Sequence, residues 1–354
     1  MTPVELSRTV LRAVRRAVDD GELTVVVPAR VVIERPRPGG SGDYSSNVAL
    51  QLARDAGAPP RQVAEILRDR ILQDRVHSAP GVAGVEITGP GFLNFTLDGA
   101  DAALVRDVLS QGLRYGHSLA LDGERIELRI PAHEPRAEVV ADAVSRIVAA
   151  LGGHVDVLQV PPGGTPGGTE DPSGRTAEDP VQPANLHPVP APPPPATPLG
   201  PDPTRWALLH SPAHDRPRLT PDHLVQRESN PLFRVQYAHS RARALVRGAD
   251  QLGFHPQPGH VGDTPEAQDL LTALADYPVV LATAARNRAP DRLARHLVAT
   301  ADAFFRFHDA TRVLPLGDEK PSAAHRARLA LAEAAGTVLA GGLSLLGIDA
   351  PEHV

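Results

Sequence analysis

The sequence predicts an α+β N-terminal domain, one βαβ unit, a disordered Pro/Gly linker and an all-α helical-bundle C-terminal domain, in that order. Three observations predict it. Helical and strand-like apolar spacings alternate up to about residue 160, Pro and Gly dominate residues 161–204, and only helical spacing recurs beyond. A chain of 354 residues has room for two or three domains, each able to bury its own core.

Taken in order, residues 3–18 place Leu6, Val10, Val14 and Ala17 on one helical face. Residues 24–34 have strand composition broken by Pro28, which predicts a strand or hairpin. Helical patterns follow at 44–56 and 60–74, the second opened by Pro60 as a first-turn proline. Strand-like runs at 83–88 and 92–97 precede a helix from Ala100 to Gly112. The βαβ unit reads as a strand at Arg125–Ile130, a helix near 136–151 stopped by Gly152 and Gly153, and a strand at His154–Val160. Residues 161–204, with four consecutive prolines at 192–195, hold almost no large apolar side chain. Such a stretch cannot bury enough surface to offset its ordering entropy, so a tether is expected, stiff in its Pro-rich half and loose in its Gly-rich half. Helices near 221–251, 265–287, 290–311 and 322–347 then form a bundle, with Leu293, Leu297, Phe304 and the Leu-rich run 339–346 as core faces.

The chain has no cysteine, so it offers neither a disulfide framework nor a thiolate site. Residues 1–20 mix Arg12, Arg15 and Arg16 with Asp19 and Asp20, and no apolar run reaches membrane-spanning length, so a cytoplasmic location without a membrane partner is expected. A formal net charge of -6 argues against a nonspecific nucleic-acid coat. Locally the balance reverses. Between Asp215 and Arg247 the chain carries Arg216, Arg218, Arg227, Arg234, Arg241, Arg243 and Arg247 against Asp215, Asp222 and Glu228.

Residues 230–243, NPLFRVQYAHSRAR, lay Arg234, Tyr237 and Arg241 along one side of a Pro-started helix and Val235, Ala238 and Ala242 along another. An aromatic ring among guanidinium groups can stack on an unpaired base while neutralising phosphate. This string closely resembles the opening of the DALR-type anticodon-binding domain of arginyl-tRNA synthetases. The resemblance continues upstream through Arg205-Trp206-Ala207-Leu208 and Leu219-Thr220-Pro221-Asp222, and downstream through 301–314 and 326–352. A second match, in Gly42–Ala49, Pro60–Ala64 and Gly89-Pro90-Gly91-Phe92-Leu93-Asn94-Phe95, resembles the N-terminal additional domain of the same synthetases. The resemblance implies four regions: that additional domain at 1–120, a degenerate Rossmann-like remnant at 121–160, the linker at 161–204 and the anticodon-binding domain at 205–354. It also implies tRNA contacts: Phe92 and Asn94 at the D-loop in the elbow, and Asn230, Arg234, Gln236, Tyr237 and Arg241 at the anticodon loop. Two departures stand inside the match: His308 and Asp309 replace a common Tyr and Asn, and the chain ends Glu-His-Val where Arg-Met is usual.

The family activates its amino acid in a Rossmann-like domain, with a His-x-Gly-His signature and a Lys-Met-Ser-Lys-Ser-type loop stabilising the ATP phosphates. When Asp142–Arg146 is set on the family's Asp-Ala-x-x-Arg, Arg136 falls on the Arg that ends the signature. Pro131-Ala132-His133-Glu134 then occupies the signature itself. Lys320, in a Gly-Asp-Glu-Lys-Pro loop of the bundle, is the only lysine in the chain. One βαβ unit stands where two βαβαβ halves are needed. Gly39–Gly42 lacks the Lys and Thr of a P-loop, no Gly-x-Ser-x-Gly elbow occurs, and the 15 histidines show no His-Glu-x-x-His. The resemblance and these gaps together imply a pseudoenzyme with no cofactor and no metal whose partner is tRNA, tRNA-Arg first among them. A second reading is an interaction module that pairs with a full-length synthetase and leaves RNA alone; His308, Asp309 and the acidity of the chain favour it. A third is an enzyme completed in trans by a partner's nucleotide-binding fold.

Overall fold

The computed structural model describes residues 3–34, 44–73, 82–97, 99–161, 181–193, 195–196, 198–259, 261–262 and 264–354. The chain divides into two compact units, Met1–Leu104 and Val105–Val354. An α/β N-terminal region is followed by a helical C-terminal region.

In the first unit α1 (Pro3–Asp19), α2 (Val48–Ala56) and α3 (Pro60–Gln73) share a core with a three-stranded antiparallel sheet. The sheet is made of β1 (Tyr44–Ser46), β2 (Val82–Thr88) and β3 (Phe92–Leu97) in the order β1-β3-β2. Leu6, Val10, Val14 and Ala17 are all buried, as their spacing predicts. Two expectations need correction. The helix expected over 44–56 starts only at Val48, because Tyr44 buries its ring and pairs with Phe95 while the Ser46 hydroxyl donates to the Val32 carbonyl. The strand or hairpin expected over 24–34 is an irregular run making one bridge, Glu34 to Ser45, and tied to α1 through the Ser7 hydroxyl on the Val31 carbonyl. Val25, Val27, Val31 and Ile33 of this run pack against the core, while Val26 is exposed. At the β2–β3 turn Gly91 has φ +150°, and a Cβ there would lie 2.9 Å from the Pro60 carbonyl carbon, so the turn admits only glycine.

α4 (Ala100–Gln111) carries the chain into the second unit. Here β4 (Arg125–Pro131), α5 (Pro135–Ala150), β5 (His154–Val160) and β6 (Val181–Asn185) form an all-parallel sheet of order β5-β4-β6. β6 corrects the expected linker. It lies inside 161–204 and runs beside β4 from Arg125↔Val181 to Arg129↔Asn185. A ladder is built from backbone groups, so low apolar content does not forbid it, and Pro183 is tolerated because β6 is an edge strand. Leu186 and Leu199 are buried, and α6 (Pro201–His210) begins before the expected linker ends. The Gly-rich half, 162–180, lies outside the described residues. The α/β elements are therefore not a separate remnant at 121–160: α5 packs on α6 and on three helices of the bundle.

Those helices are α7 (Pro231–Gln251), α8 (Pro265–Asn287), α9 (Pro290–Ala310) and α10 (Ala323–Leu346). The helix expected from 221 opens ten residues later, because Asn230 and Pro231 form its cap and first turn and 221–224 is a short 3-10 turn. α10 alone among the described helices is long and apolar enough to cross a membrane, but 78% of its apolar window is buried in the bundle. A Cβ at Gly336 would lie 2.9 Å from that of Ala242, so the glycine lets α7 and α10 approach closely. Within α8, Pro278 has no N–H to offer the carbonyl of Leu274 one turn back; the hydroxyl of Tyr115 donates to it instead, at 3.1 Å.

Candidate nucleotide and nucleic-acid interfaces

Open parallel sheets bind nucleotides beyond the C-terminal ends of their strands, with phosphate at the N-terminus of the following helix. In this chain that place is the junction of β4 and α5. Glu134 is the N-cap of α5: one carboxylate oxygen accepts the Ala137 N–H at 2.6 Å and the other the Ala191 N–H at 3.2 Å. The positive end of the helix dipole thus faces an internal carboxylate. The segment after β6 lies against the same junction, its Leu186 N–H donating to the Arg129 carbonyl at 2.9 Å and its Val189 N–H to the Ala213 carbonyl at 2.8 Å.

Arg136 closes the junction from below. Its side chain is fully buried, and its guanidinium donates to the carbonyls of Val189, Leu208, Ser211, Pro212 and Asp215 at 2.7–3.2 Å. The residue that the family match sets at the end of a phosphate-handling signature is consumed as a clamp on the chain's own backbone. His133 is exposed in a left-handed conformation, φ 60°. Among the described residues no group of three or more His, Cys, Asp or Glu side chains could hold a metal ion.

Of the five residues expected at an anticodon loop, Arg234, Tyr237 and Arg241 gather on the side of α7 that faces α9. Arg234 is ion-paired with Asp302 of α9 and lies over the Phe305 ring, 5.0 Å from its centroid. Tyr237, 41% exposed, is stacked between Phe233 at 5.5 Å and Phe305 at 5.6 Å. The Arg241 guanidinium donates to His308 Nε2 at 3.3 Å, and His308 Nδ1 stands 3.4 Å from the Asp309 carboxylate. Asp309 therefore faces the neighbouring imidazole across an exposed edge. Gln236 donates to the Asp349 carbonyl at 3.0 Å. Phe305 escaped the sequence reading; its one signal was the doublet Phe304-Phe305, in which one ring must face the core and its neighbour lies off that face.

Two of the expected contact residues are turned inward. Asn230 is buried, accepting the Leu232 and Phe233 N–H groups and donating to the carbonyls of His223 and Val225, so its amide is spent on the α7 cap. Asn94 is 3% exposed and donates to the Thr88 hydroxyl at 2.8 Å, which fastens the β2–β3 turn. Only Phe92, 38% exposed, presents a surface there. A polar residue after a turn or before a helix carries the same sequence signal whether it binds a ligand or its own backbone, so both were legible as polar and neither as buried.

Residues 5–97 match the family model of the arginyl tRNA synthetase N terminal domain, and residues 235–354 that of the DALR anticodon binding domain. The arginine–tRNA ligase of Frankia alni is 28% identical over an alignment of 558 residues that covers 100% of both chains. That of Kineococcus radiotolerans is 42% identical over 168 residues, 44% of this chain and 29% of its own. In fold, the chain is similar to the arginyl-tRNA synthetase of Thermus thermophilus, with a TM-score of 0.68 at 15% identity and 100% of each chain covered. The chain thus matches two domain models of arginyl-tRNA synthetases, the N-terminal domain and the DALR anticodon binding domain, and is similar to these synthetases along its length.

Proposed function

We propose that the chain is a non-catalytic, tRNA-binding member of this family, a pseudoenzyme that keeps tRNA-recognising domains and has given up amino-acid activation. The observation that carries the proposal is the Glu134 carboxylate on the N-terminus of α5, backed by the 186–191 segment. ATP phosphates would meet a like charge there. The guanidinium next in line, Arg136, is spent on five carbonyls. Losing one donor aimed at transition-state charge typically costs about 3 kcal/mol, roughly a hundredfold in rate. With one lysine in the whole chain, at Lys320 in the bundle, a full set of such donors is missing. The DALR domain is consistent with tRNA binding, and the exposed Tyr237 ring beside Arg234 and Arg241 suits a splayed base, worth about 1–3 kcal/mol when stacked. A cytoplasmic location and tRNA-Arg as ligand follow from this reading.

ATP–pyrophosphate exchange with arginine tests the first half: no exchange above background is expected, alone or with cell extract, and turnover that tracks the amount of this chain overturns it. Filter binding to total tRNA across a salt series tests the second, with affinity expected to fall steeply as salt rises. Sequencing the RNA that copurifies identifies the tRNA.

One observation favours the other reading, an interaction module that partners a full-length synthetase without RNA. Arg234 is matched by Asp302, and Arg243 and Arg247 by Glu352, so much of the α7 charge is already neutralised. Flat, background-level tRNA binding at every salt concentration, together with copurification of the synthetase, would establish it.

A further inference from the structure

The arginines between Asp215 and Arg247 fall into two sets. Those on α7 have partners: Arg234 with Asp302, Arg241 with His308, Arg243 and Arg247 with Glu352. Arg216, Arg218 and Arg227, in the segment before α7, are exposed and enter no ion pair among the described residues. Arg216 and Arg218 line a cleft of about 580 Å³ between the end of α6 and the start of α7, with His210, Ser211, Thr220 and His223.

Three features make this cleft more than a solvated charge run. It is rigid at two sides. Arg136 holds the carbonyls of Ser211, Pro212 and Asp215, and the Asn230 amide holds those of His223 and Val225, so the loop that displays the two arginines is pinned from within. The cations that line it are Arg216 and Arg218, since burial, the largest cause, lowers the pKa of His210, which is stacked on Trp206 at 5.3 Å, and so disfavours its charged form. The two arginines are also free of the acids that line the cleft with them: Asp222 accepts the Thr220 hydroxyl at 3.1 Å and Asp215 lies 3.9 Å from the exposed His214 imidazole, and neither is paired with Arg216 or Arg218. Hydroxyls and imidazoles make up much of the rest of the lining, together with Ala207 and Pro231.

We propose that this cleft binds the phosphodiester backbone of RNA, with Arg216 and Arg218 as phosphate ligands and the Ser211 hydroxyl as a hydrogen-bonding partner, the Thr220 hydroxyl and His223 Nε2 being engaged with Asp222 and the Arg218 carbonyl. The proposal rests on the tRNA-binding reading and names where its salt-dependent affinity resides: in the unpaired loop arginines, not in Arg234, Arg243 and Arg247, which carboxylates neutralise on α7. Phosphate contacts dominate affinity and set its salt dependence, whereas stacked bases such as one on Tyr237 would contribute a salt-insensitive share.

The test is filter binding of total tRNA across a salt series to the full chain, to R216A/R218A and to R243A/R247A. R216A/R218A is expected to bind about 10–100-fold more weakly at low salt with a log–log salt slope smaller by about 2, one for each lost phosphate. R243A/R247A is expected to stay within about threefold of the unaltered chain. R216K/R218K, which keeps the charge, is expected to keep the slope, and the melting temperature of all three is expected to stay put. Binding and slope unchanged in R216A/R218A, while the unaltered chain binds, overturns the cleft alone. No tRNA binding by the unaltered chain at any salt overturns the tRNA reading and the cleft with it.

Discussion

The start of α5 and the loop before α7 both present arginines, and they use them in opposite ways. At α5 the guanidinium of Arg136 is buried and divided among five backbone carbonyls. In the loop, Arg216 and Arg218 point outward from backbone that Arg136 itself helps to hold. An arginine that has enough carbonyls within reach becomes structure, and the charge left without internal partners is what a ligand can meet. α7 lies between these extremes, with charges on the surface but matched by Asp302 and Glu352.

The largest effect is expected from breaking the buried side of this contrast. Arg136→Met should destabilise the second unit by about 3–5 kcal/mol, because it leaves a set of buried carbonyls without donors. Urea unfolding measures it, and a loss under 1 kcal/mol would mean the clamp is dispensable. Arg136→Lys should recover only part, since an ammonium cannot fork to five acceptors.

Acid provides the next largest. His296 in α9 is partly buried beside Tyr277, and that burial pushes its pKa from 6.5 down to about 4. The folded chain keeps it neutral while the unfolded chain takes up a proton below about 6.5. Stability is therefore unaffected by this group above that pH and falls as pH drops towards 4, by up to about 3 kcal/mol. His296→Leu should flatten that part of the pH–stability curve, measured by thermal melts between pH 7 and 4; an unchanged curve would remove His296 as its cause.

Smaller effects sharpen the comparison at the cap and on the surface. Asn230→Ala should cost about 1–2 kcal/mol by uncapping α7, and tRNA affinity measured at a temperature where the variant is folded should change little. A large affinity loss there would return Asn230 to the RNA surface. Glu352→Gln should alter stability by less than about 1 kcal/mol, as its ion pairs are exposed. It releases Arg243 and Arg247, so tRNA binding should tighten a few-fold and its salt slope steepen; no change would mean those arginines face away from the ligand.

Periodicity located most elements because helices and strands bury one face at a fixed spacing. α8 at Pro265–Asn287 and β5 at His154–Val160 coincide with their expected limits, and α9 and α10 fall within a residue of theirs. β6 and α6 were missed for one reason: a Pro-rich segment was weighed by the side chains it can bury, while the ladder to β4 depends on backbone groups supplied by a strand more than fifty residues earlier. The candidate site shows the same division. The Arg234, Tyr237 and Arg241 stripe follows from helical spacing alone. Its partners Phe305, Asp302 and His308 come from another helix, and Asn94 and Asn230 look like ligands until the fold buries them.

By itself the sequence determined the resemblance to arginyl-tRNA synthetases, the helices of the bundle and the scarcity of lysine, since each depends on residue type and local spacing. Only the tertiary structure decided which charges are spent. Whether an arginine meets a carbonyl, a carboxylate or open water depends on segments that are distant in the chain and adjacent in space, and Coulombic and hydrogen-bond energies fall off over a few ångströms, not over a number of residues.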